Sequence, residues 1–251
     1  MIVATNHGTV RELRLNRPPV NALNLELIAA LRQAVEAAPQ DGVRALVLSG
    51  APGRFSAGLD VPLLLGSDRT GIVALWREFY ALLKALASSP IPIAAAITGH
   101  APAGGTVLSL FCDWRAAAHG DFKLGLSEVQ VGIALPPIVL SALRRQVGPR
   151  QAERLAVTGV LISSQEALDV GLVDEVVTVE RVVSRALEWC QAVLALPAEA
   201  MAVTRRNARA DLVGLFDNVE PELEAVTEAW WRPQTQHALR ALVERLGKKA
   251  G

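Results

Sequence analysis

The chain has 251 residues, 51% of them hydrophobic and only 4% aromatic, with 25 Lys and Arg balanced by 25 Asp and Glu. That length is ample for a buried core, and a core drawn mainly from Ala, Leu and Val suits helices packed closely on a sheet, an α/β arrangement. Balanced charge without a polybasic run excludes an electrostatic nucleic-acid footprint and an anionic-membrane surface, leaving a small molecule as the expected partner.

Cys112 and Cys190 sit inside apolar stretches rather than at framework spacings, the pattern of two buried thiols in a reducing compartment, and metal ligation by them is not expected. No run approaches the ~18 apolar residues of a membrane span, and the start Met1-Ile-Val-Ala has no charged segment leading into an apolar one. The expectation is a cytoplasmic protein with neither signal peptide nor membrane span.

Residues 10–15 read as a strand ending at Asn16-Arg-Pro-Pro19, after which Asn24 caps a helix over 25–38 with Leu27, Ile28, Leu31, Ala34 and Val35 on one face. Residues 44–49 form a short buried strand. A helix over 71–87 follows a loop, carries Leu75, Phe79, Leu82, Leu83 and Leu86 at helical spacing, and is stopped by Pro90 and Pro92. Then come a strand over 93–98, a short buried helix over 106–112 and a strand over 114–118, so strands and helices alternate. Beyond Glu128 the pattern predicts helices over 137–147, 149–158 and 163–169, the last opened by a Ser163/Glu166 capping box. Residues 173–177 read as a closing strand. From Arg181 onward everything reads helical, punctuated by Pro197, Pro221 and Pro233. The expected organisation is a core over 1–195 and a C-terminal helical region over 196–251 serving as a lid or an assembly surface.

Two loops carry the chemistry. In Gly99-His-Ala-Pro-Ala-Gly-Gly-Thr106, glycines free a buried backbone just before an apolar helix, so that amide N–H groups can face an anionic oxygen. Gly50-Ala-Pro-Gly-Arg-Phe-Ser-Ala-Gly-Leu-Asp60 follows a strand and again places small residues where backbone must approach a ligand. Glu128, within Leu124-Gly-Leu-Ser-Glu-Val-Gln-Val-Gly132, lies on a loop among apolar residues; it is either an ordinary exposed glutamate or a carboxylate withdrawn from water and made more basic. Ser56 does not make a nucleophile turn, because Gly53-Arg-Phe-Ser-Ala-Gly58 has one residue too many for G-x-S-x-G. No dinucleotide, triphosphate or H-E-x-x-H motif is present. His7, His100, His119 and His237 are scattered, and only His100 is placed to approach the site. Asp60 and Asp113 read as hydrogen-bonding residues of a loop and a helix end, and Trp230-Trp231 as packing or an oligomer surface.

The two loops together with Gly125-Leu-Ser-Glu128 resemble the crotonase (enoyl-CoA hydratase/isomerase) superfamily over nearly the whole chain. The resemblance implies a crotonase (ClpP/crotonase-like) fold of repeated ββα units with a C-terminal helical region, assembling as a homotrimer or hexamer. It implies that a thioester oxygen sits in an oxyanion hole between the backbone N–H groups of Leu59 and Gly104, that Glu128 is the catalytic glutamate, and that Val20, Ala22, Ser56, Ala57, Gly58, Leu59, Asp60 and Gly104 bind the acyl-CoA substrate. No metal or redox cofactor is implied, CoA being part of the substrate.

Hydratases of the superfamily carry a second glutamate on the helix after the glycines, and Val107 stands at that position here. Pro18-Pro-Val-Asn21, Phe55-Ser-Ala-Gly-Leu-Asp60, Pro102-Ala-Gly-Gly105 and Gln151-Ala-Glu-Arg154 resemble the Δ3,Δ2-enoyl-CoA isomerase branch. Thr98 replaces an asparagine common in the family, and Leu135-Pro-Pro137 replaces a glycine-rich turn, which bears on the shape of the acyl pocket. The implied activity is isomerisation of 3-enoyl-CoA to trans-2-enoyl-CoA in fatty acid metabolism. The alternatives are decarboxylation, thioester hydrolysis, weak hydration, or a non-catalytic acyl-CoA-binding scaffold, since a fold does not fix its chemistry.

Overall fold

In the computed structural model residues 1–249 are described; residues 250 and 251, the end of the expected C-terminal region, lie outside the described residues. The chain opens with a hairpin of β1 (Ile2–His7) and β2 (Val10–Leu15), then α1 (Leu25–Ala37), whose first turn is capped by the Asn24 side chain accepting from the Leu27 N–H. There follow β3 (Ala45–Ser49), β4 (Gly53–Arg54), α2 (Val61–Leu64) and α3 (Arg69–Ser88); β5 (Ile93–Ile97), β6 (Gly99–Pro102) and α4 (Gly104–Leu110); and β7 (Trp114–Ala118), β8 (Lys123–Gly125), a 3-10 turn at Glu128–Val131 and α5 (Pro137–Val147). Next are α6 (Pro149–Thr158), β9 (Ile162–Ser163), α7 (Ser164–Asp169) and β10 (Glu175–Val177), and the chain closes with α8 (Val182–Leu194), α9 (Ala198–Ala208), α10 (Ala210–Gly214), α11 (Glu220–Trp230) and α12 (Pro233–Lys249).

Three times the chain runs through a strand of one sheet (β3, β5, β7), then one of a second sheet (β4, β6, β8), then into helix, which is the repeated ββα unit expected. The larger sheet has the order β1-β2-β3-β5-β7-β10 and is parallel except for its hairpin; the smaller has the order β4-β6-β8-β9. Because β3 and β5 are buried along their whole length, their apolar runs do not alternate with polar residues. One sheet face, with Leu46, Leu48, Ile93 and Ile97, packs against α1 and α3; the other, with Val47, Ala94, Ala96 and Ala116, receives Val182, Ala186 and Cys190 of α8. The alanines let α8 lie close. Burial pushes the Cys112 and Cys190 thiols up to about 12, so both stay protonated.

The predicted elements recur with small shifts at their ends. The helix expected from Thr106 begins at Gly104, the closing strand is confined to Glu175–Val177, and the Ser163/Glu166 capping box is present. β1 was not expected: its outward residues are polar and exposed, and pairing with β2 holds it. The C-terminal helices are tied to the core through Arg209. This buried guanidinium donates to the carbonyls of Leu86 and Ala87 at the end of α3 and of Phe111 and Cys112 just past α4, and pairs with Asp113 at 3.1 Å. Asp113 also takes Arg205 at 2.8 Å and accepts the Ile93 N–H, the hydrogen-bonding part expected of it. Among the described residues no single helix is long and apolar enough to cross a membrane.

Candidate active site

The loop after β4 and the turn into α4 meet with their backbones nearly touching. A Cβ on Gly105 would fall 2.5 Å from the Ser56 carbonyl oxygen, which leaves it no room, and one on Gly58 would fall 3.0 Å from the Gly104 nitrogen at a φ of 80° that strains any residue with a side chain. Leu23 binds the first loop by alternate residues: its N–H donates to Gly58 O at 2.7 Å and its carbonyl accepts from Asp60 N–H at 3.0 Å. In such a parallel bridge the intervening residue turns its own N–H away, and no acceptor among the described residues takes the Leu59 N–H. Gly104 opens α4, where the first amides lack partners within the helix, and its N–H likewise meets no acceptor among the described residues. Ala103, just before it, is held at φ 49°, a left-handed conformation costing of order 1–3 kcal/mol in a residue with a side chain. Its N–H donates to Gly125 O at 2.8 Å, which ties the strained turn to β8.

Glu128 is the first residue of the 3-10 turn after β8 rather than part of an irregular loop. Its Oε2 is shielded from solvent and has no hydrogen-bond partner. Burial raises its pKa from the ordinary 4.5 to about 7, opposed only by a backbone hydrogen bond. The carboxylate is thus the withdrawn group of the two sequence alternatives. Asp60 is differently placed: it pairs with Arg17 at 2.6 Å and caps α2 through the Leu63 N–H at 3.2 Å.

A cavity of about 940 Å³ connects these groups. Of the residues singled out in the sequence, Val20, Ala22, Ala57, Leu59, Asp60, Gly104 and Glu128 all line it, as does Val107. Ser56 and Gly58, expected to bind substrate, are not among the residues that line it. Ala57 and Leu59 face the cavity, whereas Ser56 is buried behind the wall and Gly58 turns the loop at φ 80°. The Ser56 hydroxyl donates to Asn21 O at 2.8 Å and accepts from Gly58 N–H at 3.2 Å. His100 is corrected: it lies exposed on β6, away from the cavity, its Nδ1 accepting from Lys123 N–H and its ring edge-on to Phe122. Sequence reasoning missed most of the apolar wall, including Trp76, Ile133, Val139 and Leu242, and Trp230, assigned to packing, faces the cavity as well. Apolar residues at helical spacing read as core whether they face protein or an empty cleft.

A family model described as enoyl-CoA hydratase/isomerase matches residues 5–246. The chain is 34% identical over 248 residues to the Mus musculus protein named enoyl-CoA delta isomerase 1, mitochondrial, spanning 96% of this chain and 85% of that one. It is also 34% identical over 205 residues to the probable enoyl-CoA hydratase echA17 of Mycobacterium avium, spanning 79% of this chain and 77% of that one. The crystal structure of human mitochondrial delta3-delta2-enoyl-CoA isomerase superposes with a TM-score of 0.94 at 31% identity, covering 100% of this chain and 99% of that one. That of the enoyl-CoA hydratase EchA3 from Mycobacterium ulcerans superposes with 0.83 at 28% identity, covering 91% and 99%.

Proposed function

The chain belongs to the enoyl-CoA hydratase/isomerase family and has the crotonase fold, and we propose that within this family it is an isomerase moving the double bond of 3-enoyl-CoA to give trans-2-enoyl-CoA. The observation that carries the proposal is a single carboxylate, Glu128, whose shielded Oε2 has no partner, in a cavity wall where Val107 occupies the place of a second one. Glu128 takes the proton from C2 of the substrate. The electron pair of the broken C–H bond moves into a dienolate whose negative oxygen receives the Leu59 and Gly104 N–H groups, preorganised donors commonly worth several kcal/mol at such an oxygen. Glu128 then returns the proton to C4, leaving the double bond between C2 and C3. A base near neutrality suits both halves of the step, being ionised often enough to accept the proton and acidic enough to give it back. Val20, Ala22 and Ala57 flank the path of the CoA portion, which enters as part of the substrate. The trimeric or hexameric assembly and the cytoplasmic location belong to the same proposal.

Hydration is the rival, favoured by the hydratase-named relatives. Activating a water between two carboxylates is not available with Val107 in place, and Asp60 is occupied by Arg17. The test is turnover on a panel of 3-enoyl-, 2-enoyl- and malonyl-type CoA thioesters. The expected result is 3-enoyl isomerisation well above crotonyl-CoA hydration; comparable rates, or decarboxylation of the malonyl type as the main activity, overturn the proposal.

A further inference from the structure

The Glu128 carboxylate is held in place by its backbone, since Oε2 has no partner of its own. Besides the local bonds of the turn that carries it, Gln130 N–H to Ser127 O and Gly132 N–H to Val129 O, three more hold that turn. Ile133 N–H donates to Glu128 O at 3.0 Å, the Gln130 side chain donates to Gly159 O at 2.8 Å, and the Thr235 hydroxyl donates to Gly132 O at 2.8 Å. The third reaches across from another part of the chain, because Thr235 lies in the first turn of α12. In the first turn of α12, with no helical turn before it, Thr235 is buried to 1% exposure and spends its hydroxyl on the loop. Gly132 is in the left-handed region at φ 75°, and a Cβ there would fall 3.1 Å from Thr235 Cα, so helix and turn are in close contact.

From that anchor α12 runs over the cavity. Leu242 and Arg245, seven and ten residues on from Thr235, line the cavity, and the helix reaches α2, which Asp60 caps directly after Leu59. At 1.5 Å per residue, the span from Thr235 to Leu242 is about 10 Å. One helix therefore touches the turn bearing the base at its start and the element following the Leu59 amide farther along.

We propose that Thr235 is a positioning residue for Glu128: its bond to Gly132 fixes the turn that aims the carboxylate, and α12 acts through it as the roof of the site. The proposal rests on Glu128 being the base of the isomerisation. The other charged groups facing the cavity are Arg17 and Asp60, paired with each other, and Arg245 of α12 itself.

The test compares Thr235→Val, which keeps the shape and removes the hydroxyl, with Thr235→Ser, which keeps the hydroxyl; Thr235→Ala carries the same expectation if the valine variant does not fold. Misplacement of a reacting group by even 1 Å can cost about a hundredfold, so Thr235→Val is expected to lose about tenfold or more in kcat with KM within about twofold. Thr235→Ser is expected to recover most of the rate. The second readout is the titration of the Glu128 carboxyl by carbon-13 NMR, assigned by its loss in Glu128→Gln. Its midpoint should move toward the ordinary carboxylate range in Thr235→Val as the loosened turn admits water, and return in Thr235→Ser. Wild-type kcat with an unmoved titration in Thr235→Val, or a loss that Thr235→Ser fails to restore, overturns the proposal. Full isomerisation by Glu128→Gln would instead overturn the assignment of the base, so the two failures are distinguishable.

Discussion

Replacing Glu128 by glutamine should remove a loss of stability that sets in as the pH rises and leave the protein nearly inactive, and the size of the first effect follows from the burial of the carboxylate. Its pKa rises from 4.5 in the ordinary state to about 7 in the folded protein. The folded state therefore keeps a proton, between those two pH values, that the unfolded chain has released. Stability from this group is fully present below about 4.5 and is lost as the pH rises through about 7, above which the fold must hold an ionised carboxylate against an apolar wall. A difference of about 2.5 pH units at 1.36 kcal/mol each gives about 3 kcal/mol. Glu128→Gln removes that dependence, so the variant should exceed wild type by up to about 3 kcal/mol at pH 8 relative to their difference at pH 4.5. For a chain of this size that corresponds to roughly 6–12 °C in Tm. The assay is urea unfolding of both proteins at matched concentration across pH 4.5–8; every other titrating group is common to the two, so their difference isolates Glu128. The same variant should lose about 10²–10⁴ in isomerisation rate, while wild type should show an acid limb with its midpoint at about 7. A stability difference that does not change with pH would refute the burial account even if activity were lost.

The proposed oxyanion hole is made of backbone, so Leu59→Ala should lower kcat/KM only mildly, whereas Gly104→Pro, which deletes an N–H, should cost about 10²–10³ in kcat; normal turnover by a folded Gly104→Pro protein removes Gly104 from the chemistry. Val107→Glu should raise crotonyl-CoA hydration above its wild-type level, measured by loss of the enoyl absorbance, and no gain in a variant that still binds the thioester would show that the second carboxylate is not what hydration lacks. Arg209→Met should destabilise by about 3–5 kcal/mol, because Asp113 loses a buried partner and four helix-end carbonyls lose their donor. Equilibrium unfolding checks this, and a change under about 1 kcal/mol would mean that Arg205 and water replace the guanidinium.

What the sequence made legible is whatever depends on backbone freedom. Gly58 and Gly104 mark a place where two segments of backbone approach so closely that a side chain would crowd its neighbours, and such a constraint leaves a trace in the residue letters themselves. Helix ends were legible for the same reason: Asn24 and the Ser163/Glu166 pair satisfy orphan amides by local hydrogen bonds. The cavity wall left no such trace. Trp76 and Val139 sit at helical spacing like any core residue, and only the arrangement of α3 and α5 around an empty volume makes them lining. A motif names a run of residues without saying which way each side chain turns, and Ser56 turns inward to bond Asn21 O while its neighbours Ala57 and Leu59 line the cavity. Thr235 lies 103 residues from the carbonyl it binds, and a threonine near a helix start is too ordinary to draw notice.

The apolar wall around Glu128 also bears on why, in the proposed isomerisation, a second carboxylate would be harder to keep. Holding a single ionised carboxylate there above pH 7 costs about 3 kcal/mol, a substantial part of the 5–15 kcal/mol by which most domains are stable. A second carboxylate at position 107, on α4 and facing the same cavity, would add like-charge repulsion to desolvation and push the two to share a proton. It would be tolerable only in a wetter cavity, where water lowers both penalties and is at hand as a reactant. Valine at 107 removes the repulsion and presents an apolar side chain to the cavity instead. Proton transfer within one bound substrate consumes no water and suits such a cavity. Val107→Glu is then expected to lose stability as the pH rises even while it gains hydration, and a variant as stable as wild type at pH 8 would show that the wall is wetter than its residues imply.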